Sequence, residues 1–96
     1  MIGGICNAAS FLCAHGFLNH VKHTGNTLAV LKQWGGERYT NEDGYLEKQA
    51  DGDKNIVTAN GTGYLEFTRE LLLALKADTQ EKIEAFYDFS KNGLVR

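Results

Sequence analysis

Cys6 stands in the run Ile2-Gly3-Gly4-Ile5-Cys6-Asn7-Ala8-Ala9-Ser10, where a short apolar stretch meets glycine, then cysteine, then small residues. A helical apolar pattern follows at once through Phe11, Leu12, Cys13 and Ala14. The order reads as strand, sharp turn and helix, with Cys6 at the turn. It is the cysteine form, Gly4-x-Cys6-x-Ala8, of the G-x-S-x-G nucleophile elbow, whose small flanking residues avoid collisions in a tight bend. A sulfur placed there faces a helix N-terminus, where unpaired N–H groups and the helix dipole favour negative charge. The backbone N–H of Asn7 is then aimed at an oxyanion forming on a substrate carbonyl. The alternative is a thiol packed as a small hydrophobe, the common fate of a free cysteine.

His23 is the candidate partner for Cys6, a role that needs contact at about 3 Å or one bridging water. The alternative is a strand-end histidine on the surface. His15 reads as a helix-end residue near the C-terminal dipole and His20 as a loop residue. Cys13 lies two turns into the helix and reads as core. With no H-E-x-x-H and no paired C-x-x-C in the chain, neither a metal site nor another cofactor is expected. Gly61-Thr62-Gly63 suits an anion at a helix start, but a tight turn needing glycine's backbone freedom is the favoured reading. Trp34 and the Tyr64/Phe67 face read as core rather than as ligand platforms.

The elements that must hold these residues follow from periodicity and turn signals. Met1 to Ile5 reads as an all-apolar strand, of the kind buried on both faces in a parallel sheet. Residues 8–15 read as a helix ended by Gly16. Val21 to Thr24 is a short strand, and residues 27–34 form a helix capped by Asn26 or Thr27 and stopped by Gly35-Gly36. Tyr39-Thr40 begins another strand. Residues 45–50 and 55–60 read as a β-hairpin turning over Asp51-Gly52-Asp53-Lys54. Tyr64, Phe67, Thr68, Leu71, Leu72 and Leu75 mark one face of the clearest helix. Asp78 and Glu81 form a capping box for a last helix that ends near Asn92-Gly93.

Composition narrows the field. The chain has 96 residues, at most one domain, with a 43% hydrophobic and 23% charged content that suits a globular protein. A net charge of -2 gives no electrostatic case for nucleic acid or an anionic membrane. No apolar run approaches the roughly 20 residues that span a bilayer. Two cysteines about 10 Å apart on one helix cannot bridge, so both are expected reduced, which fits a cytoplasmic protein.

Three pieces now stand in one order: the elbow Gly3 to Ala9, the strand-to-helix turn Ile56-Val57-Thr58-Ala59-Asn60-Gly61-Thr62-Gly63, and the helix Tyr64 to Leu75. Together they resemble the C-terminal half of the ThiJ/PfpI superfamily, within the class I glutamine amidotransferase-like fold. The segment Lys82 to Lys91 is similar to the tail of a bacterial subgroup of type 1 glutamine amidotransferase-like proteins. The resemblance covers nearly all of residues 1–96. It implies an α/β chain, the C-terminal part of a flavodoxin-like α/β/α sandwich, with Cys6 at the nucleophile position. It also implies that a missing N-terminal half of the domain carries the acidic partner of the cysteine, and that homodimers are common.

The function it implies is a cysteine-dependent hydrolase or amidase-like enzyme on small amide, peptide or carbonyl substrates. The alternative is a non-catalytic or oxidant-sensing stress protein of the same fold, since an elbow sulfur is open to oxidation. Two departures from the family pattern stand out. Asn7 occupies a place where several members have histidine. Others carry a histidine about twenty residues after the cysteine, where gapless counting reaches Thr24 or Asn26 rather than His23. No His-x-Glu pair follows His23, which argues against true glutaminase activity.

Overall fold

Gly3 and Gly4 set the layers of the molecule. In this computed structural model, which describes residues 1–93, they lie on strand β1 (Ile2–Ile5), where successive Cβ directions alternate across the sheet. A Cβ on Gly3 would meet Phe67 and Leu71 of helix α3 (Tyr64–Leu75), whereas one on Gly4 would meet Leu12 of helix α1 (Asn7–Ala14). The two helices therefore cover opposite faces of the sheet, an α/β/α arrangement. Helix α2 (Leu28–Gly35) packs beside α1, and helix α4 (Gln80–Asn92) packs on α3.

The sheet has three strands in the order β1-β3-β2, with β2 at Ala50–Asp53 and β3 at Ile56–Ala59. Strands β1 and β3 are parallel, Ile2 opposite Ile56 and Ile5 opposite Ala59. Strands β2 and β3 form the expected antiparallel hairpin. Its turn is Lys54-Asn55, with φ of 48° and 68°, the paired positive values of a two-residue type I′ connection. Asp51, Gly52 and Asp53, expected in the turn, are instead paired with Thr58, Val57 and Ile56.

Other expectations change in detail. Among the described residues strand β1 has a neighbour on one edge, β3, and Ile2 and Gly3 are exposed while Gly4 is buried. Val21 to Thr24 makes no strand, only a single bridge from His23 to Tyr45. Two backbone bonds make that bridge, from the His23 N–H to the Gly44 carbonyl at 3.0 Å and from the Leu46 N–H to the His23 carbonyl at 2.8 Å. The Thr24 N–H donates to Thr58 Oγ1 at 2.8 Å and the Thr24 hydroxyl to the Lys48 carbonyl at 3.0 Å. Tyr39-Thr40 follows a short 3-10 turn, Gly36–Arg38, and the Thr40 N–H goes to Asn19 Oδ1 instead of a sheet. Helix α2 is capped by Thr27, whose hydroxyl accepts from the Val30 N–H at 3.0 Å. Helix α4 is capped by Thr79 rather than Asp78. Trp34 and Tyr64, expected in the core, are 47% and 63% exposed.

Leu12, Cys13, Leu18, Val21, Leu31 and Tyr39 form the core under α1 and α2. On the other face the buried member of α3 is Glu66, outside the apolar stripe. It accepts from the Tyr87 hydroxyl at 2.5 Å and pairs with Lys91 at 3.0 Å. Burial alone would raise its carboxyl, but those two hydrogen bonds outweigh burial and hold it below the ordinary range. No helix among the described residues is long and apolar enough to cross a membrane.

Candidate functional site

The parallel register brings β1 and β3 to an end at the same level, so Cys6 emerges beside Asn60 and Gly61. The carboxyl ends of parallel strands are where open α/β sheets place their ligands. Cys6 is tied to its neighbour by its N–H, which donates to the Ala59 carbonyl at 3.0 Å. Its carbonyl starts α1, accepting from the Ala9 and Ser10 N–H groups at 3.1 and 3.5 Å.

Between those bonds the backbone bends sharply. Cys6 has φ 59° and ψ -124°, the values of the first central residue of a type II′ turn, a place that favours glycine. Holding another residue there costs about 1–3 kcal/mol and persists only where the surroundings impose it. Gly4 makes the bend sterically feasible. A Cβ on it would lie 2.7 Å from Leu12 Cδ1 and 3.1 Å from the backbone of Ala8 and Ala9. The expected elbow geometry is therefore present, and Cys6 is partly exposed at its apex. Asn7 follows as the exposed first residue of α1. Its N–H belongs to the first turn, whose donors have no partner within the helix.

The side chain that reaches the sulfur is Asn26. Its Nδ2 donates to Cys6 Sγ at 3.4 Å, and its Oδ1 accepts from the Gly61 N–H at 2.8 Å. Gly61 closes over the sulfur so tightly that a Cβ on it would sit 3.3 Å from Sγ. Beyond Asn26 opens a polar cleft of about 350 Å³, lined by Asn26, Tyr45, Glu47, Lys48, Gln49 and Asn60 among others. Two larger hollows, of about 390 and 490 Å³, both include Lys54 of the hairpin turn, at the opposite end of β3 from the sulfur.

His23 takes no part in this contact. It is fully buried, not the surface histidine of the alternative reading. Its Nδ1 lies 2.8 Å from the Val21 carbonyl and its Nε2 lies 2.6 Å from the Tyr39 hydroxyl. A carbonyl only accepts, so Nδ1 carries the proton and Nε2 accepts from Tyr39. Both ring nitrogens are thus engaged away from Cys6. Burial lowers the pKa of the imidazole, against the smaller opposing effects of the Val21 carbonyl and Asp51.

Cys13 is fully buried, as expected, and its thiol donates to the Leu31 carbonyl at 3.3 Å. Gly61-Thr62-Gly63 is a tight connection: a Cβ on Gly63 would fall 2.3 Å from the Gln49 carbonyl oxygen. Among the described residues no cluster of His, Cys, Asp or Glu could hold a metal ion. Asn26 carried no motif. The twenty-residue count from Cys6 reached it, and so did its reading as a possible cap of α2, a place Thr27 takes.

Residues 1–74 match the model of the DJ-1/PfpI family. The chain is 41% identical over 92 residues to a Bacillus subtilis protein named uncharacterized protease YdeA, covering 96% of the chain and 46% of that relative. It is 34% identical to a second one from that organism, uncharacterized protease YoaZ, covering 94% of the chain and 42% of the relative. A solved thiJ/pfpI family protein from Bacillus anthracis superposes with a TM-score of 0.87 at 33% identity, over 94% of this chain and 42% of its own. The DJ-1 superfamily protein Atu0886 from Agrobacterium tumefaciens superposes with a TM-score of 0.82 at 38% identity, over 93% and 46%. The chain thus spans under half the length of these relatives. The flavodoxin-like fold expected from the sequence agrees with both structural neighbours.

Proposed function

Because the chain belongs to the DJ-1/PfpI family, we propose that it supplies the nucleophile of a cysteine-dependent hydrolase acting on small amide, peptide or carbonyl substrates. The observation that carries this reading is the backbone of Cys6, held at φ 59° and ψ -124° between a strand and a helix N-terminus. A bend of that cost is retained where it presents a side chain for use. The protease names of the two Bacillus subtilis relatives support the same reaction class.

On an amide substrate the Cys6 sulfur attacks the carbonyl carbon. The carbon–sulfur bond forms as the carbonyl electron pair moves to oxygen, and the Asn7 N–H stabilises that oxyanion. Collapse expels the amine, which leaves with the proton once held by the thiol. Water then cleaves the thioester, releasing the acid and restoring the thiol. His23, neutral and bonded on both nitrogens, is assigned to the structure of the interior rather than to this proton transfer. The acidic partner is assigned to the part of the domain that the longer relatives carry and these residues do not span. The free edge of β1 is where that part would add its strands. A homodimer is the assembly the resemblance favours.

The test uses the protein as its host produces it, with fluorogenic peptides, simple amides and glyoxal-type carbonyls as probes. Turnover by the wild type should fall by about 10³-fold or more in Cys6→Ala. Full turnover in Cys6→Ala would refute the reading. The second reading, an oxidant sensor, draws on one observation: the side chain bonded to the sulfur is the amide of Asn26, not a proton acceptor. Reversible oxidation of Cys6 by peroxide with no turnover of any probe would favour it.

A further inference from the structure

We propose that Asn26 is the positioning residue of the Cys6 site, directing the sulfur and supplying its hydrogen-bond donor, a role that rests on Cys6 being the reactive group. The orientation of the amide follows from its partners. The Gly61 N–H can only donate, so the Asn26 atom 2.8 Å from it is the oxygen. The nitrogen then faces Sγ at 3.4 Å, an ordinary length for a bond to sulfur. One side chain therefore joins three segments: the elbow, the turn after β3, and the approach to α2.

Asn26 is itself held from both sides. The Thr24 N–H is bound by Thr58 Oγ1 at 2.8 Å, and Thr27 caps α2 with its hydroxyl on the Val30 N–H at 3.0 Å. The amide is thus restrained before any substrate arrives, which lowers the entropy cost of aiming the sulfur. A bond donated to sulfur stabilises the anion more than the neutral thiol. A carboxamide does not titrate, so the donor persists at every working pH. Histidine in the same place would lose one of its protons on the alkaline side. Titration of this neighbour therefore adds no limb to the pH profile of Cys6 labelling. The second hydrogen on Nδ2 remains available at the mouth of the polar cleft, which Asn26 also lines.

Asn26→Asp separates this role from a merely structural one. The carboxylate keeps the shape and still accepts from Gly61, but it cannot donate to sulfur and sets a like charge beside the anion. The experiment measures iodoacetamide labelling of Cys6 from pH 6 to 10, read by mass spectrometry, in wild type, Asn26→Asp and Asn26→Ala. Labelling at pH 7 should fall about tenfold or more in Asn26→Asp, with the profile displaced to higher pH. Asn26→Ala should fall less, because it adds no charge. Labelling of Asn26→Asp at the wild-type rate, whether or not Asn26→Ala is slow, would show that Asn26 only tethers Gly61 and would overturn the proposal. Thermal melts check the fold of each variant. Asn26→Gln, which moves the same amide by one methylene, repeats the test with an expected fall of about threefold. Absence of Cys6 labelling in the wild type would overturn the Cys6 reading itself, and this role with it.

Discussion

Cys6 and Cys13 belong to one strand-turn-helix unit, and the structure gives them opposite surroundings. Cys6 stands at an open corner on a strained backbone, facing the Asn26 amide and the Gly61 turn. Cys13 is sealed between α1 and α2, with its thiol spent on the Leu31 carbonyl and burial pushing its pKa up to about 11. In the same interior His23 spends both ring nitrogens, on the Val21 carbonyl and the Tyr39 hydroxyl. The corner instead holds the Asn7 N–H in the first turn of α1, where the helix itself offers it no partner. The two cysteines thus differ in backbone conformation and in what surrounds the sulfur, not in residue type.

Alkylation gives the widest separation between the two. At pH 8 a thiol of pKa about 11 is ionised to about one part in 10³. Burial adds the need for a local opening before reagent can enter. In native protein Cys6 should therefore label at least about 10³-fold faster than Cys13. In denaturant the two rates should converge. Equal native rates would end the comparison.

Gly4→Val attacks the corner at its base. The added Cβ would sit 2.7 Å from Leu12 Cδ1 and 3.1 Å from the backbone of Ala8 and Ala9, which cannot yield without opening the elbow. A loss of about 3 kcal/mol is expected in chemical denaturation, at the upper end for overpacking. Cys6 labelling should fall with it, because the bend that presents the sulfur is lost.

Cys13→Ala is the matching change in the interior. It deletes one sulfur atom and the bond to the Leu31 carbonyl. The cost should be about 1.5 kcal/mol from lost packing and an unpaired acceptor. The labelling rate of Cys6 should not change. A large effect on Cys6 would mean that the two regions are one mechanical unit.

How much of this was legible in advance depended on whether the signal was local. The elbow was readable because the small residues and the apolar strand and helix lie within about ten positions. Helix α3 was readable to the residue because its apolar period and the glycines before it agree. The hairpin turn was misplaced because Asp51-Gly52-Asp53 has turn composition, yet the register is set by Lys54 and Asn55 at positive φ. Segments 21–24 and 39–40 look strand-like, but a single bridge at His23 and side-chain bonds from Thr58 to the Thr24 N–H and from Asn19 to the Thr40 N–H take the place of a sheet. Asn26 was the least legible residue of the site. Its importance comes from Cys6 and Gly61, twenty residues before it and thirty-five after it, meeting in space.

Cys6→Gly carries the smallest effect and asks the most direct question about the corner. At φ 59° and ψ -124° a side chain costs energy that glycine does not incur. The relief is about 1–3 kcal/mol. Against it stands the extra freedom of glycine in the unfolded chain, about 0.4–1 kcal/mol. The net expectation is a gain of about 1 kcal/mol, together with the loss of the sulfur. Cys6→Ala supplies the control, because it removes the sulfur and keeps the strain, so its stability should stay near that of the wild type. If glycine gave no advantage over alanine in paired denaturation curves, the bend would hold no strain. The corner would then be no more specialised than the interior behind it.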